Sequence, residues 1–142
     1  MAIRANHFAL KLNKHFGDKP GDLTGISPSE FEFVGDQFQT TFVVEGEPTG
    51  VGYFLIQTFD VNANGTPHES GHQLLINGKT VDGFNKGLAL APQTPQTWNT
   101  WMDVIEGSTT LQKGANTIKV QRALGGDNFL VGFMTINWLE SD

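Results

Sequence analysis

The constraint that bears hardest on this chain is a recurring alternation of apolar and polar side chains at every second residue. A period of two belongs to extended strands, whose side chains point in turn to two opposite faces. In HFALKLN, Phe8, Leu10 and Leu12 share one side while Ala9, Lys11 and Asn13 share the other. FEFV and FQTTFVVE follow, the second with Phe38, Phe42 and Val44 in phase. Further strands are expected in HQLLING, KTVDGF, WNTWMDVI, ANTIKVQRA and NFLVGFMTINWLE. VGYFLIQTFDV is apolar on both sides, with Phe54 and Ile56 on one and Tyr53, Leu55 and Phe59 on the other. Such a strand is either covered on both faces or central beneath a loop. No amphipathic helical pattern of useful length competes with this reading.

The punctuation agrees. Asn77-Gly78 is a two-residue hairpin signal, because both positions accept a positive φ. Gly, Pro and Asp mark long loops over residues 14–30 and 84–97, and the segment DVNANGTPHESGH makes a third. Eight or nine strands joined in this way indicate an all-β chain, a two-sheet antiparallel β-sandwich of jelly-roll type. At 142 residues it is expected to form a single domain, 1–142. A chain of this size buries roughly two thirds of its unfolded surface, so it needs neither disulfides nor metal to fold.

Composition removes several function classes. There is no cysteine, hence no disulfide scaffold, thiolate metal site or cysteine nucleophile. The net charge of −6, with the basic residues scattered singly, argues against nucleic acid, whose binding needs a basic face. The opening MAIRANHFALKLNKHFGD alternates instead of forming an apolar core, so no signal peptide is expected. No stretch is apolar for long enough to cross a membrane, and a soluble, cytoplasmic protein is the expectation.

One region carries a resemblance. LLINGKTV, WNTWMDVI, LQKGANTIKV and DNFLVGFMTINW occur in this order over the last seventy or so residues. The chain resembles the galactose-binding-like jelly rolls, which include sugar-binding domains of family 2 glycoside hydrolases and several carbohydrate-binding modules. The matching positions are Asn77, Gly78 and Lys79, then Met102, Asp103 and Val104, then Leu111, Lys113, Gly114, Asn116, Ile118 and Val120. In that superfamily these positions build turns and core. Gly114 is expected to take a left-handed turn conformation, Asn116 to bond the turn backbone, and Leu111 to plug the gap beneath. The resemblance also implies carbohydrate as the ligand class, and places Met102 and Val104 in the core.

Candidate sites follow from these readings. DVNANG opens like a calcium loop, but the twelfth place is Gly71 where an EF-hand needs a bidentate glutamate, and strands flank it instead of helices. The hairpin-turn reading takes precedence; the resemblance adds a structural calcium on Asp60, Asn62, Asn64 and Glu69 as the alternative. His68, Glu69 and His72 form a weaker zinc set, since on an extended chain i and i+4 lie roughly 13 Å apart. With Met102 and Val104 inward, Trp101 points outward beside Asn99 and Asp103. A sugar site at the loop-rich edge is therefore expected from Trp101, Asn99, Asp103 and His72. Trp98 and Trp138 are expected in the core, and Arg122, in phase with Ile118 and Val120, is expected to pair with Asp103.

No catalytic constellation emerges. Asp103 with Glu106 or Asp127 is conceivable as a carboxylate pair, but no spacing selects it, and neither a nucleophile elbow nor a phosphate loop is present. The expected function is a non-catalytic module that binds carbohydrate. The alternative is a structural module that self-associates or docks protein through an exposed sheet face, and behind both stands a metal-dependent hydrolase using His68, Glu69 and His72.

Overall fold

A computed structural model describes residues 2–20, 30–59, 72–81, 98–123 and 128–142, with the Asn99 side chain left out. Nine strands and one helical turn follow in order: β1 (Ile3–Phe16), β2 (Glu32–Gly35), β3 (Gln37–Val44), β4 (Glu47–Phe59), β5 (Gln73–Ile76), β6 (Lys79–Thr80), β7 (Trp98–Glu106), α1 (Gly107–Thr110), β8 (Gly114–Gln121) and β9 (Phe129–Ser141). They form a five-stranded sheet in the order β2-β1-β9-β4-β7 and a four-stranded sheet in the order β3-β8-β5-β6. The expected two-sheet β-sandwich is the fold. Its pairs are antiparallel except β1 with β2, which run parallel.

The alternation sorts the core as anticipated. Leu12, Phe42, Val44, Phe54, Ile56, Ile118, Val120, Met134, Ile136 and Trp138 fill the space between the sheets, with Phe8, Leu10 and Phe38 packed against them. A stacked pair joins the layers, Phe8 on Phe42 at 5.3 Å, and within the five-stranded sheet Phe16 stacks on its cross-strand partner Phe129 at 4.9 Å.

The turn motifs are structural. Asn77 and Gly78 both have positive φ and close the β5–β6 hairpin between Ile76 and Lys79. Asn116 ties down the turn it leaves: its amide donates to the Gln112 and Gly114 carbonyls, and its oxygen accepts from the Gln112 N–H and the Asn77 amide. Gly114 is left-handed, at φ 92°, and Leu111 is buried below.

The far end of the five-stranded sheet is held by Glu140, which is fully buried. It accepts from the Asn6 amide at 2.7 Å and from the Gly46 N–H, with the Arg4 guanidinium at 3.6 Å. Burial pushes its carboxyl up, but the Asn6 and Gly46 hydrogen bonds, the Arg4 charge and the Trp138 indole outweigh it and hold it below the usual range.

The opposite end is closed by Arg122, buried as its phase with Ile118 and Val120 required. The expected partner is corrected: the guanidinium meets Asp18 at 3.0 Å and Asp36 at 2.9 Å. β8 and β7 belong to different sheets, which leaves Asp103 on the other layer. Among the described residues no helix is long and apolar enough to cross a membrane.

Candidate functional site

The site follows from the phase of β7. That strand reads apolar in both phases, and pairing with β4 decides which one faces the core. Trp101 lies opposite Ile56, Asp103 opposite Phe54 and Ile105 opposite Gly52. Since Phe54 and Ile56 are inward, so are Trp101 and Ile105. Trp101 is only 8% exposed, and its indole N–H donates to the buried Thr58 hydroxyl at 2.7 Å. The expectation of an outward Trp101 is thus corrected, and so is that of buried Met102 and Val104, each 66% exposed. Trp98, expected in the core, is 45% exposed.

The physical reason is that β7 is an edge strand. Its inward phase tolerates Asp103 because the rim gives the carboxylate access to water, and an inward charge also discourages further strand pairing. Asp103 accepts from the Val104 N–H at 2.8 Å.

The residues expected to form one sugar site are therefore not brought together. His72 lies at the Arg122 end, fully buried, its ring 4.6 Å from Phe129 and its Nδ1 accepting from the Ala123 N–H at 3.0 Å. Burial, and next the Arg122 charge, lower its pKa to about 4, so it is a neutral core imidazole at neutral pH. Asn99 pairs with Thr58 through its backbone. Asp103 and Glu106, three residues apart on a strand, face opposite sides of the sheet. Asp60, Asn62, Asn64, His68, Glu69 and Asp127 lie outside the described residues. Among the described residues no group of three or more His, Cys, Asp or Glu is placed to hold a metal.

A different site stands on the outer face of the five-stranded sheet. The register aligns His7 with Asn137, Asn137 with Tyr53, and Tyr53 with Val104. Cross-strand partners project to the same side, so these four form a row across β1, β9, β4 and β7. Tyr53, the only tyrosine, is 42% exposed and separates two shallow hollows. One, about 220 Å³, is lined by residues including His7, Val51, Tyr53, Asn137 and Leu139. The other, about 430 Å³, is lined by Val51, Gly52, Tyr53, Met102, Asp103 and Val104.

The floor between the hollows depends on Gly52. A Cβ there would come within 2.1 Å of the Asn137 carbonyl oxygen, so no side chain fits where β4 shifts register against β9. The Asn137 side-chain NH2 donates to the Thr135 hydroxyl at 2.9 Å and the Tyr53 carbonyl at 3.5 Å, which leaves the side-chain oxygen Oδ1 to accept from a ligand.

Further along the same face Trp98 forms a second aromatic point. Its six-membered ring lies over Gly132, where a Cβ would be 3.2 Å from Cζ3, and the Gln57 side chain reaches the same spot. Phe59 and Phe31 flank it at 5.3 and 6.1 Å between ring centroids. Reading the sequence missed both aromatics. The signal of Tyr53 was present in the doubly apolar β4 and that of Trp98 in β7, but one strand alone does not reveal which of its faces meets solvent.

The chain belongs to a family of unknown function (DUF7383), whose match covers residues 4–140. No curated protein matches it in sequence. Among solved structures it is similar to dimeric latent PorU from Porphyromonas gingivalis, with a TM-score of 0.58 and 11% identity over 99% of this chain. The chain spans only 13% of that protein's length. It is also similar to the carbohydrate-binding module CBM36 solved with calcium and xylotriose, with a TM-score of 0.51 and 16% identity. That similarity covers 92% of this chain and 98% of the module.

Proposed function

For this member of a family of unknown function, we propose a non-catalytic carbohydrate-binding role centred on the Tyr53 row. The observation that carries it is the half-exposed Tyr53 ring standing between two hollows, with Asn137 beside it and His7 one strand beyond. A pyranose has an apolar face of polarised C–H bonds that suits the electron-rich face of an aromatic ring. Its hydroxyls need donors and acceptors at the ring's margin, and His7 and the Asn137 oxygen supply them. The sandwich similarity to a carbohydrate-binding module along nearly its whole length supports the same reading. Calcium on Asp60, Asn62, Asn64 and Glu69 stays a proposal, tested by elemental analysis of the purified protein. Retention on gels containing neutral polysaccharides, lost in Tyr53→Ala at unchanged thermal stability, is the expected result. Equal migration with and without every polysaccharide rejects the role.

A second reading has its own observation. Of the eight large hydrophobic side chains exposed among the described residues, seven lie on the outer face of the five-stranded sheet: Ile3, Val51, Tyr53, Trp98, Met102, Val104 and Phe133. Exposed apolar side chains gathered on one face also suit a second copy of the chain. Sedimentation velocity decides it: a dimer that Val104→Glu converts to monomer supports self-association, and a monomer at high concentration excludes it.

A further inference from the structure

We infer that this face binds the interior of an extended neutral glycan, which runs along the strands and touches both Tyr53 and Trp98. The inference rests on the carbohydrate reading and concerns how much of a chain is read. Trp98 pairs with Phe59, six residues along β4 from Tyr53. At the rise of a strand, the two aromatic points lie about 20 Å apart. The surface between them belongs to Leu55 and Gln57 of β4, Thr100 and Met102 of β7, and Thr135 of β9. These alternate apolar area with amide and hydroxyl groups and carry no charge.

The chemistry of that strip selects its occupant. A polyanion would require cations, and among the described residues the path from Tyr53 to Trp98 offers none. Selective capture of a small free sugar or a chain end would require an enclosed pocket, whereas the Tyr53 row lies on an open sheet surface between two shallow hollows. An uncharged polymer with repeating apolar faces and hydroxyl edges satisfies both aromatics and the polar groups between them. Two contacts on one chain act as linked sites: once the first is engaged, the second binds at high effective concentration, provided the ligand spans the gap. A ligand too short to span gains nothing from the second aromatic.

Calorimetric titration of the full chain with disaccharides and hexasaccharides of neutral glucan, xylan and mannan type tests this. One hexasaccharide series is expected to bind at least about tenfold more tightly than its disaccharide. Trp98→Ala is expected to abolish that length advantage while disaccharide binding, held by Tyr53, persists. Thermal melting of the variant, with Trp98→Phe as a ring-retaining control, separates loss of contact from loss of fold. A glycan that binds with the same affinity at both lengths, or whose hexasaccharide is indifferent to Trp98→Ala in a folded variant, overturns the extended site and leaves the carbohydrate role standing. Absence of binding by every glycan overturns both, and absence of binding with a concentration-dependent dimer assigns the face to self-association.

Discussion

The two solvent-facing surfaces of this sandwich are built to different rules. On the four-stranded sheet the outward partners are Gln37 with Gln121, Gln39 with Lys119, Thr41 with Thr117, and Val43 with Ala115. Val43 is its one large exposed hydrophobic among the described residues. On the five-stranded sheet the outward β4–β7 partners are Val51 with Glu106, Tyr53 with Val104, Leu55 with Met102, Gln57 with Thr100, and Phe59 with Trp98. Both sheets contribute apolar side chains to the core, so the difference lies in the outer faces. One surface only has to stay in water. The other keeps apolar and aromatic groups exposed at a cost in solubility, as the proposed binding role would require.

The sharpest way to break this comparison is to exchange the roles of the two tryptophans on β7. Trp101→Ala empties an interior site and should destabilise by about 3–5 kcal/mol in denaturant titration. Trp98→Ala removes a half-exposed ring and should cost no more than about 1 kcal/mol. If the two effects were reversed, the assignment of inner and outer faces would be wrong.

Acid should produce the next largest effect, at the Arg122 end and away from the outer face. His72 has a folded pKa of about 4 against 6.5 unfolded. Between these values the unfolded chain binds the proton more readily, so stability rises with pH through that window and is fully present above 6.5. The loss on acidification is on the order of 3 kcal/mol at one pKa unit per 1.36 kcal/mol. Glu140 acts in the same sense at lower pH: its contribution is present above its unfolded pKa and lost as pH falls through the depressed folded value. Stability that stays flat from pH 6.5 to 4 would contradict the buried neutral imidazole.

Smaller still, Gly52→Ala should cost about 1–3 kcal/mol, because its Cβ would meet backbone and not a yielding side chain. Chemical shifts are expected to move around Tyr53 and Asn137 before those of the four-stranded sheet. The smallest effect sharpens the comparison most. Met102→Thr with Val104→Thr should leave stability within about 0.5 kcal/mol, as polar groups there meet water. Reduced binding or self-association at that unchanged stability would show that the apolar surface is kept for a partner.

Much of the fold was legible in the order of residues. Phe8, Leu10 and Leu12, then Phe42 and Val44, declared their inner face because the intervening positions are polar. Asn77-Gly78 and Lys113-Gly114 declared their turns because few other residues accept the required φ. The site was not legible, because β4 and β7 are apolar in both phases and each offers two self-consistent faces. Resemblance placed Met102 and Val104 inward; the pairing of Trp101 with Ile56 turned the strand over. Arg122 announced its burial but not its partners, since Asp18 and Asp36 reach it from segments distant in sequence.

The sequence by itself determined strands, turns and the two-layer architecture, because period and turn chemistry are local properties of the backbone. Only the tertiary structure decided which side of β7 meets water and which aromatics stand together. A strand has two chemically equivalent faces until its neighbour bonds to it, and that neighbour is chosen by the whole sheet.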